Sequence, residues 1–152
     1  MLIHVRVTEH PTAAWITQQL REAFPYDQAS RYLILHRDAK YGNEVPAAIR
    51  RMGVCPKQIT ARSPWQNGVA GRFVCTARHE FLNRVVVLNA KHLQRLLAEF
   101  AGYYLDDRTH LKLAKDAPAT RAAESKPDPQ AVTAAHPRVG GLHHRCAWRA
   151  AA

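Results

Sequence analysis

The chain has 152 residues, 47% of them hydrophobic, which fits one soluble globular domain. It has no apolar run near the roughly 20 residues of a bilayer-spanning helix and no secretion-signal pattern at its N-terminus, so we expect a cytoplasmic protein without a membrane partner. A formal net charge of +10 disfavours cationic partners and makes nucleic acid the expected polyanion.

The first elements in the chain are expected to be a strand, a helix and a second strand. Alternating apolar and polar residues predict a half-buried strand over residues 2–7. Thr12 can cap a helix that ends at Pro25. The apolar run Tyr32–Leu35 predicts a strand buried on both faces, which is typical of parallel sheets.

The next segment predicts further helices and one more strand. Asn43 can begin a short helix that runs to Arg51. Ile59 and its neighbours predict a short strand, and helical apolar spacing follows over residues 67–81 and 90–104. Strands that alternate with helices in this way indicate an α/β fold.

The composition changes near residue 107 to Pro, Ala, Lys, Arg and His without sustained periodicity. We therefore predict a core domain over residues 1–106 and an irregular tail, extended or disordered, over residues 107–152. The three cysteines, Cys55, Cys75 and Cys146, are widely separated and form no C-x-x-C pair. We expect free, buried thiols and no metal site.

Several short motifs follow one another along the chain. The most informative is RSPWQNGVAGRF at residues 62–73, and others lie at residues 11–15 with 18–20, 31–34, 37–42, 87–89, 103–104 and 108–110. This ordered set resembles the integrase core of DDE transposases from bacterial insertion sequences, whose corresponding stretch reads S-P-x-x-N-x-x-x-E-R-F. The resemblance implies an RNase H-like fold, DNA as partner and transfer of DNA strands.

The family's chemistry uses Mg²⁺ held by two Asp and one Glu, because this cation prefers hard oxygen ligands and paired ions stabilise the attacking and leaving oxygens. By the resemblance, the second Asp corresponds to His36 and the Glu to Gly71, which stands 35 residues later. The first Asp belongs to a strand expected before residue 1. We therefore predict a truncated RNase H-like fold that lacks its first two strands, is weakly stable and is catalytically inactive, with no cofactor.

Two residues leave open the alternative that the chain still binds a metal ion. Asp38 could serve as a substitute ligand, since it is the carboxylate nearest to the expected position. His36 could bind a softer metal such as Zn²⁺, but one imidazole without partner ligands makes no site.

The stretch HRDAKYGN at residues 36–43 also fits the catalytic loop of protein kinases. The sequence has no Gly-rich loop, strand lysine or D-F-G motif with which to hold ATP, so we exclude that activity.

The resemblance places four residues of the RSPWQNGVAGRF motif beside DNA: Ser63, Trp65, Gln66 and Asn67. We also expect basic residues in or near the two central motifs to contact DNA: Lys40, Arg62, Arg72 and Arg78. Trp65 could instead pack in a surface turn, and the arginines could simply form a solvated face. We thus expect an inactive transposase-derived protein that binds DNA. The alternatives are a non-catalytic module that binds DNA, a full-length transposase or a second copy of itself, and a relic that makes no stable protein.

Overall fold

The computed structural model describes residues 4–24, 30–122 and 124–150. The chain divides after Glu80 into two compact units, the N-terminal unit up to that residue and the C-terminal unit from Phe81 onward. The core boundary predicted at residue 106 lies inside the C-terminal unit. Among the described residues, no helix is both long and apolar enough to cross a membrane.

The N-terminal unit begins with helix α1, Ala13–Ala23. Its predicted cap is confirmed, because the Thr12 hydroxyl oxygen accepts a hydrogen bond of 3.2 Å from the backbone N–H of Trp15. Pro25, predicted to end this helix, lies outside the described residues. The predicted strand over residues 2–7 is wrong in its described part, since residues 4–7 carry no strand.

Two short strands in the N-terminal unit pair in parallel. Strand β1, Tyr32–Leu35, is found where it was predicted, and β2 is Cys55–Gln58, just before Ile59. Helix α2, Glu44–Arg51, connects them in the usual parallel crossover. The crossover and parallel pairing place this unit in the predicted α/β class.

The core of the N-terminal unit lies on one face of this two-stranded sheet. Leu35 and Val54 are buried there with Val45 and Ile49 of α2, and side chains of α1 pack against this cluster. The predicted burial of β1 on both faces is wrong, because Tyr32 is 48% exposed and Ile34 is 46% exposed. Alternate residues of a strand point to opposite faces, and the cluster covers one of them.

The predicted helix over residues 67–81 is divided into different kinds of helical turn. A 3₁₀ turn, Pro64–Asn67, leads into α3, Gly68–Thr76, and a wider π-type turn, Ala77–Phe81, follows. Helix α3 contains no fully buried residue. Its side chains are therefore largely available to solvent or to a ligand.

The C-terminal unit contains the long helix α4, Ala90–Asp106, capped by Asn89. The expectation of an irregular tail is corrected here, since β3, Val132–Arg138, and β4, His143–Arg149, form an antiparallel hairpin. The turn between them uses Gly140 and Gly141 at positive φ, which glycine adopts readily. The hairpin exposes most of its β3 residues, so its sequence shows no apolar alternation.

Aromatic side chains organise the interior of the C-terminal unit. Phe81 and Phe100 are fully buried and stack with ring centroids 5.1 Å apart. The ring of His143 on β4 stacks on Tyr103 of α4 at 4.4 Å. These contacts tie the hairpin to α4. The cysteines are free as expected, but their predicted burial is wrong because all three are exposed.

Candidate functional site at the carboxyl end of the sheet

An open cleft lies where β1 and β2 end. Because the strands are parallel, the segments that follow both of them emerge at the same edge of the sheet, the edge at which open α/β sheets bind ligands. The cleft has a volume of about 410 Å³. It is lined by residues 36–38 after β1 and by residues 59–64 after β2.

Asp38 is the single carboxylate among the described residues that line the cleft. Its Oδ1 accepts a hydrogen bond of 3.0 Å from the backbone N–H of Lys40, and its Oδ2 lies 2.9 Å from Lys40 Nζ. The backbone bond first, and the ammonium group second, hold the pKa of Asp38 below its ordinary value. The same pair raises the pKa of Lys40. Oδ1 thus caps a 3₁₀ turn, Ala39–Tyr41, while Oδ2 forms an ion pair with the side chain of Lys40.

His36 and Gly71, the two positions that the resemblance aligns with acids of the family, hold no acid. His36 lines the cleft and is exposed. Gly71 lies within α3, where an added Cβ would meet no atom within 4 Å. Space for a Cβ therefore does not require glycine at this position.

The residues of the cleft do not fit Mg²⁺. That ion needs oxygen ligands in octahedral geometry, usually including carboxylates. The cleft offers one carboxylate that is already bonded, together with the guanidinium groups of Arg37 and Arg62. Among the described residues, no group of three or more His, Cys, Asp or Glu could hold a metal ion.

The turn after β2 is held by its own side chains. Gln66 Oε1 accepts hydrogen bonds from the Thr60 N–H at 2.8 Å and from its hydroxyl at 3.1 Å. Ser63 is buried and its hydroxyl donates to the Ala61 carbonyl at 3.3 Å. Two of the residues predicted to contact DNA therefore shape the turn, a role that the sequence analysis did not assign.

Other residues predicted to contact DNA remain accessible. Trp65 is 72% exposed, and Arg62, Arg72 and Arg78 are also exposed. Arg62 lines the cleft, whereas Arg72 lies on α3 and Arg78 lies in the π-type turn after it. Two more of the predicted set are less free, since Asn67 is partly buried and Lys40 is paired with Asp38.

The structure adds two residues to the candidate site. Arg37 lines the cleft, and Thr60 lines it while also bonding to Gln66. Arg37 belongs to the motif at residues 37–42, so its charge could have been noted from the sequence. Thr60 carried no such signal, because its role depends on a hydrogen bond across six residues.

Residues 52–118 match the family model described as integrase core domain. The matched segment contains β2, the turn that carries Trp65, α3 and α4. The matched segment comprises 67 of the 152 residues and is similar to the integrase core domain. Neither a curated protein nor a solved structure matches the chain.

Proposed function

We propose that the chain is a transposase-class integrase-core protein that contacts DNA but does not cut or join its strands. The observation that supports this most directly is the state of Asp38, whose two oxygens are bonded to Lys40. Lys40 therefore competes with any cation for both oxygens of Asp38. The residues His36 and Gly71 supply no replacement.

The charge of the candidate site supports the DNA-contacting half of the proposal. Arg37 and Arg62 line the cleft, and Arg72 and Arg78 are exposed in the helical segment that follows. Guanidinium groups bind phosphate with paired N–H donors, independently of base sequence. Trp65 is exposed and lies close to Arg62 and Arg72 in the sequence. The RNase H-like topology and association with a full-length transposase or a second copy remain predictions from the resemblance. A cytoplasmic location remains a prediction from the sequence.

A nicking assay on supercoiled plasmid tests the catalytic half. We expect no strand cleavage by the purified chain with Mg²⁺ or Mn²⁺. Cleavage that is lost in Asp38→Ala but kept in His36→Ala would show that Asp38 binds the metal, and the proposal of inactivity would be wrong. Asn is a matched replacement, because Asp38→Asn keeps an acceptor for the Lys40 N–H and removes the charge.

Duplex binding at several salt concentrations tests the other half. If about four phosphates are contacted, affinity falls about a hundredfold between 50 and 200 mM salt. Arg62→Gln should weaken binding and lower the salt slope by about one. Arg50→Gln is the matched control, because Arg50 is an exposed arginine of α2 that does not line the cleft. Equal effects of the two changes, or no binding at low salt, would contradict the DNA contact.

A further inference from the structure

The sheet of the N-terminal unit has one open face. Leu33 and Leu35 point toward the core cluster, so Tyr32 and Ile34 point the other way. The strand register pairs Tyr32 with Cys55 and Ile34 with Lys57, and paired residues of neighbouring strands share a face. We call these four exposed residues the open sheet face.

The chemistry of the open sheet face combines an aromatic ring with cations. Arg31 Cζ lies 5.2 Å from the centroid of the Tyr32 ring, and Lys57 Nζ lies 5.6 Å from it. Both distances are in the range of cation–π contacts. Residues 30–37 and 54–63, which include both strands, contain no Asp or Glu. An anionic ligand would therefore meet no negatively charged residue of these two segments.

We propose that the open sheet face binds single-stranded nucleic acid. An unpaired base can stack on the half-exposed ring of Tyr32, and its flanking phosphates can pair with Arg31 and Lys57. Aromatic side chains on an exposed sheet bind single strands in this manner because every base has a π-face. The bases of a duplex are already stacked and cannot reach the ring. An acidic peptide would use the cations but would leave Tyr32 without a stacking partner.

The direction of the strands supports the same ligand. Both strands run toward the cleft, which Arg37 and Arg62 line. A single strand that continues beyond the end of β1 would therefore meet further basic residues. The inference rests on the proposed function only for the choice of nucleic acid among polyanions.

Fluorescence anisotropy with labelled dT12 and with a 12-base-pair duplex tests the proposal on the full chain. Removing one base-stacking ring typically weakens binding about fivefold to a hundredfold. We expect a loss in that range for Tyr32→Ala with dT12, and duplex affinity close to that of the unchanged protein. Tyr32→Phe is the matched control, because it keeps the ring and should keep dT12 affinity.

Lys57→Gln provides a second variant that does not alter the ring. It should lower the salt slope of dT12 binding by about 0.7, the value of one single-strand phosphate contact. Circular dichroism shows whether each variant is folded. If Tyr32→Ala does not fold, Lys57→Gln alone tests the proposal. A dT12 affinity or slope unchanged in the folded variants would overturn the proposal. The proposal would also be overturned if polyglutamate displaced labelled dT12 as effectively as unlabelled dT12 does. That result would indicate an acidic polypeptide as the ligand.

The duplex and dT12 binding measurements distinguish this inference from the proposed function. Loss of duplex binding in Arg62→Gln supports DNA contact at the cleft whatever Tyr32 does. Loss of dT12 binding in Tyr32→Ala supports the open sheet face even when duplex DNA does not bind. Each proposal therefore fails on its own measurement.

Discussion

Arg138 Nε donates a hydrogen bond of 2.8 Å to Oδ2 of Asp107. The bond joins the C-cap residue of α4 to the last residue of β3. The Asp107 side chain is only 2% exposed, and two further guanidinium groups, of Arg121 and Arg145, lie 3.8 and 3.7 Å from its Oδ1. That oxygen has no hydrogen-bond partner among the described residues. One nearly buried carboxylate therefore lies within ion-pair distance of three arginines of the C-terminal unit.

Replacing Asp107 should destabilise the C-terminal unit. Asp107→Ala removes a charge-assisted hydrogen bond and leaves the three arginines to repel one another, so we expect a loss of about 2 kcal/mol in the free energy of unfolding. The arginines are partly exposed, and solvent keeps the loss below that of a fully buried pair. Urea denaturation followed by circular dichroism measures it. Asp106→Ala, one residue earlier and exposed, should change stability much less.

Gly71→Ala should stabilise the N-terminal unit. Gly71 lies within α3 and an added methyl group meets no atom within 4 Å, so alanine loses less backbone entropy on folding without a clash. We expect a gain of about 0.5–1 kcal/mol in the free energy of unfolding, measured by urea denaturation. The control is Gly53→Ala at φ +76° after α2, which should destabilise the protein. A stability loss in Gly71→Ala would mean that glycine is needed there for another reason.

Local signals predicted the parts of the fold that depend on neighbouring residues. The Thr12 cap and the Tyr32–Leu35 strand were found where the sequence placed them, because each depends on side chains a few positions apart. The exposure of Tyr32 was missed, since burial depends on which distant elements cover a face. The hairpin was missed because its backbone ladder, rather than an apolar pattern, specifies it.

Family motifs and local hydrogen bonds give different kinds of information about the candidate site. The resemblance directed attention to His36, Asp38 and the turn around Trp65, and the structure brings His36 and Asp38 into the cleft with Arg62. The resemblance did not indicate that the Gln66 side chain accepts a hydrogen bond from Thr60. An exposed polar residue in a motif can serve the backbone as readily as a ligand, and only the bond itself distinguishes the two.

Gln66→Ala should loosen the turn after β2. The change removes the acceptor for the Thr60 N–H, a contribution of about 1 kcal/mol, so that amide should exchange with solvent about fivefold faster. Hydrogen exchange followed by NMR measures the effect. Gln66→Glu keeps the acceptor oxygen and should retain most of the protection. Unchanged exchange in Gln66→Ala would show that the turn does not depend on this side chain.

Asp38 should titrate at lower pH than an ordinary aspartate. Its pKa is lowered chiefly by the Lys40 N–H and then by the Lys40 ammonium group. Because the folded-state pKa lies below the unfolded one, the cap contributes stability that is fully present above about pH 4 and is lost as the pH falls through the folded-state pKa. Lys40→Met removes the ammonium and keeps the N–H, so the Asp38 pKa should rise part of the way. NMR titration of the Asp38 carboxyl carbon measures both values, and an unchanged pKa in Lys40→Met would show that the ion pair does not form in solution.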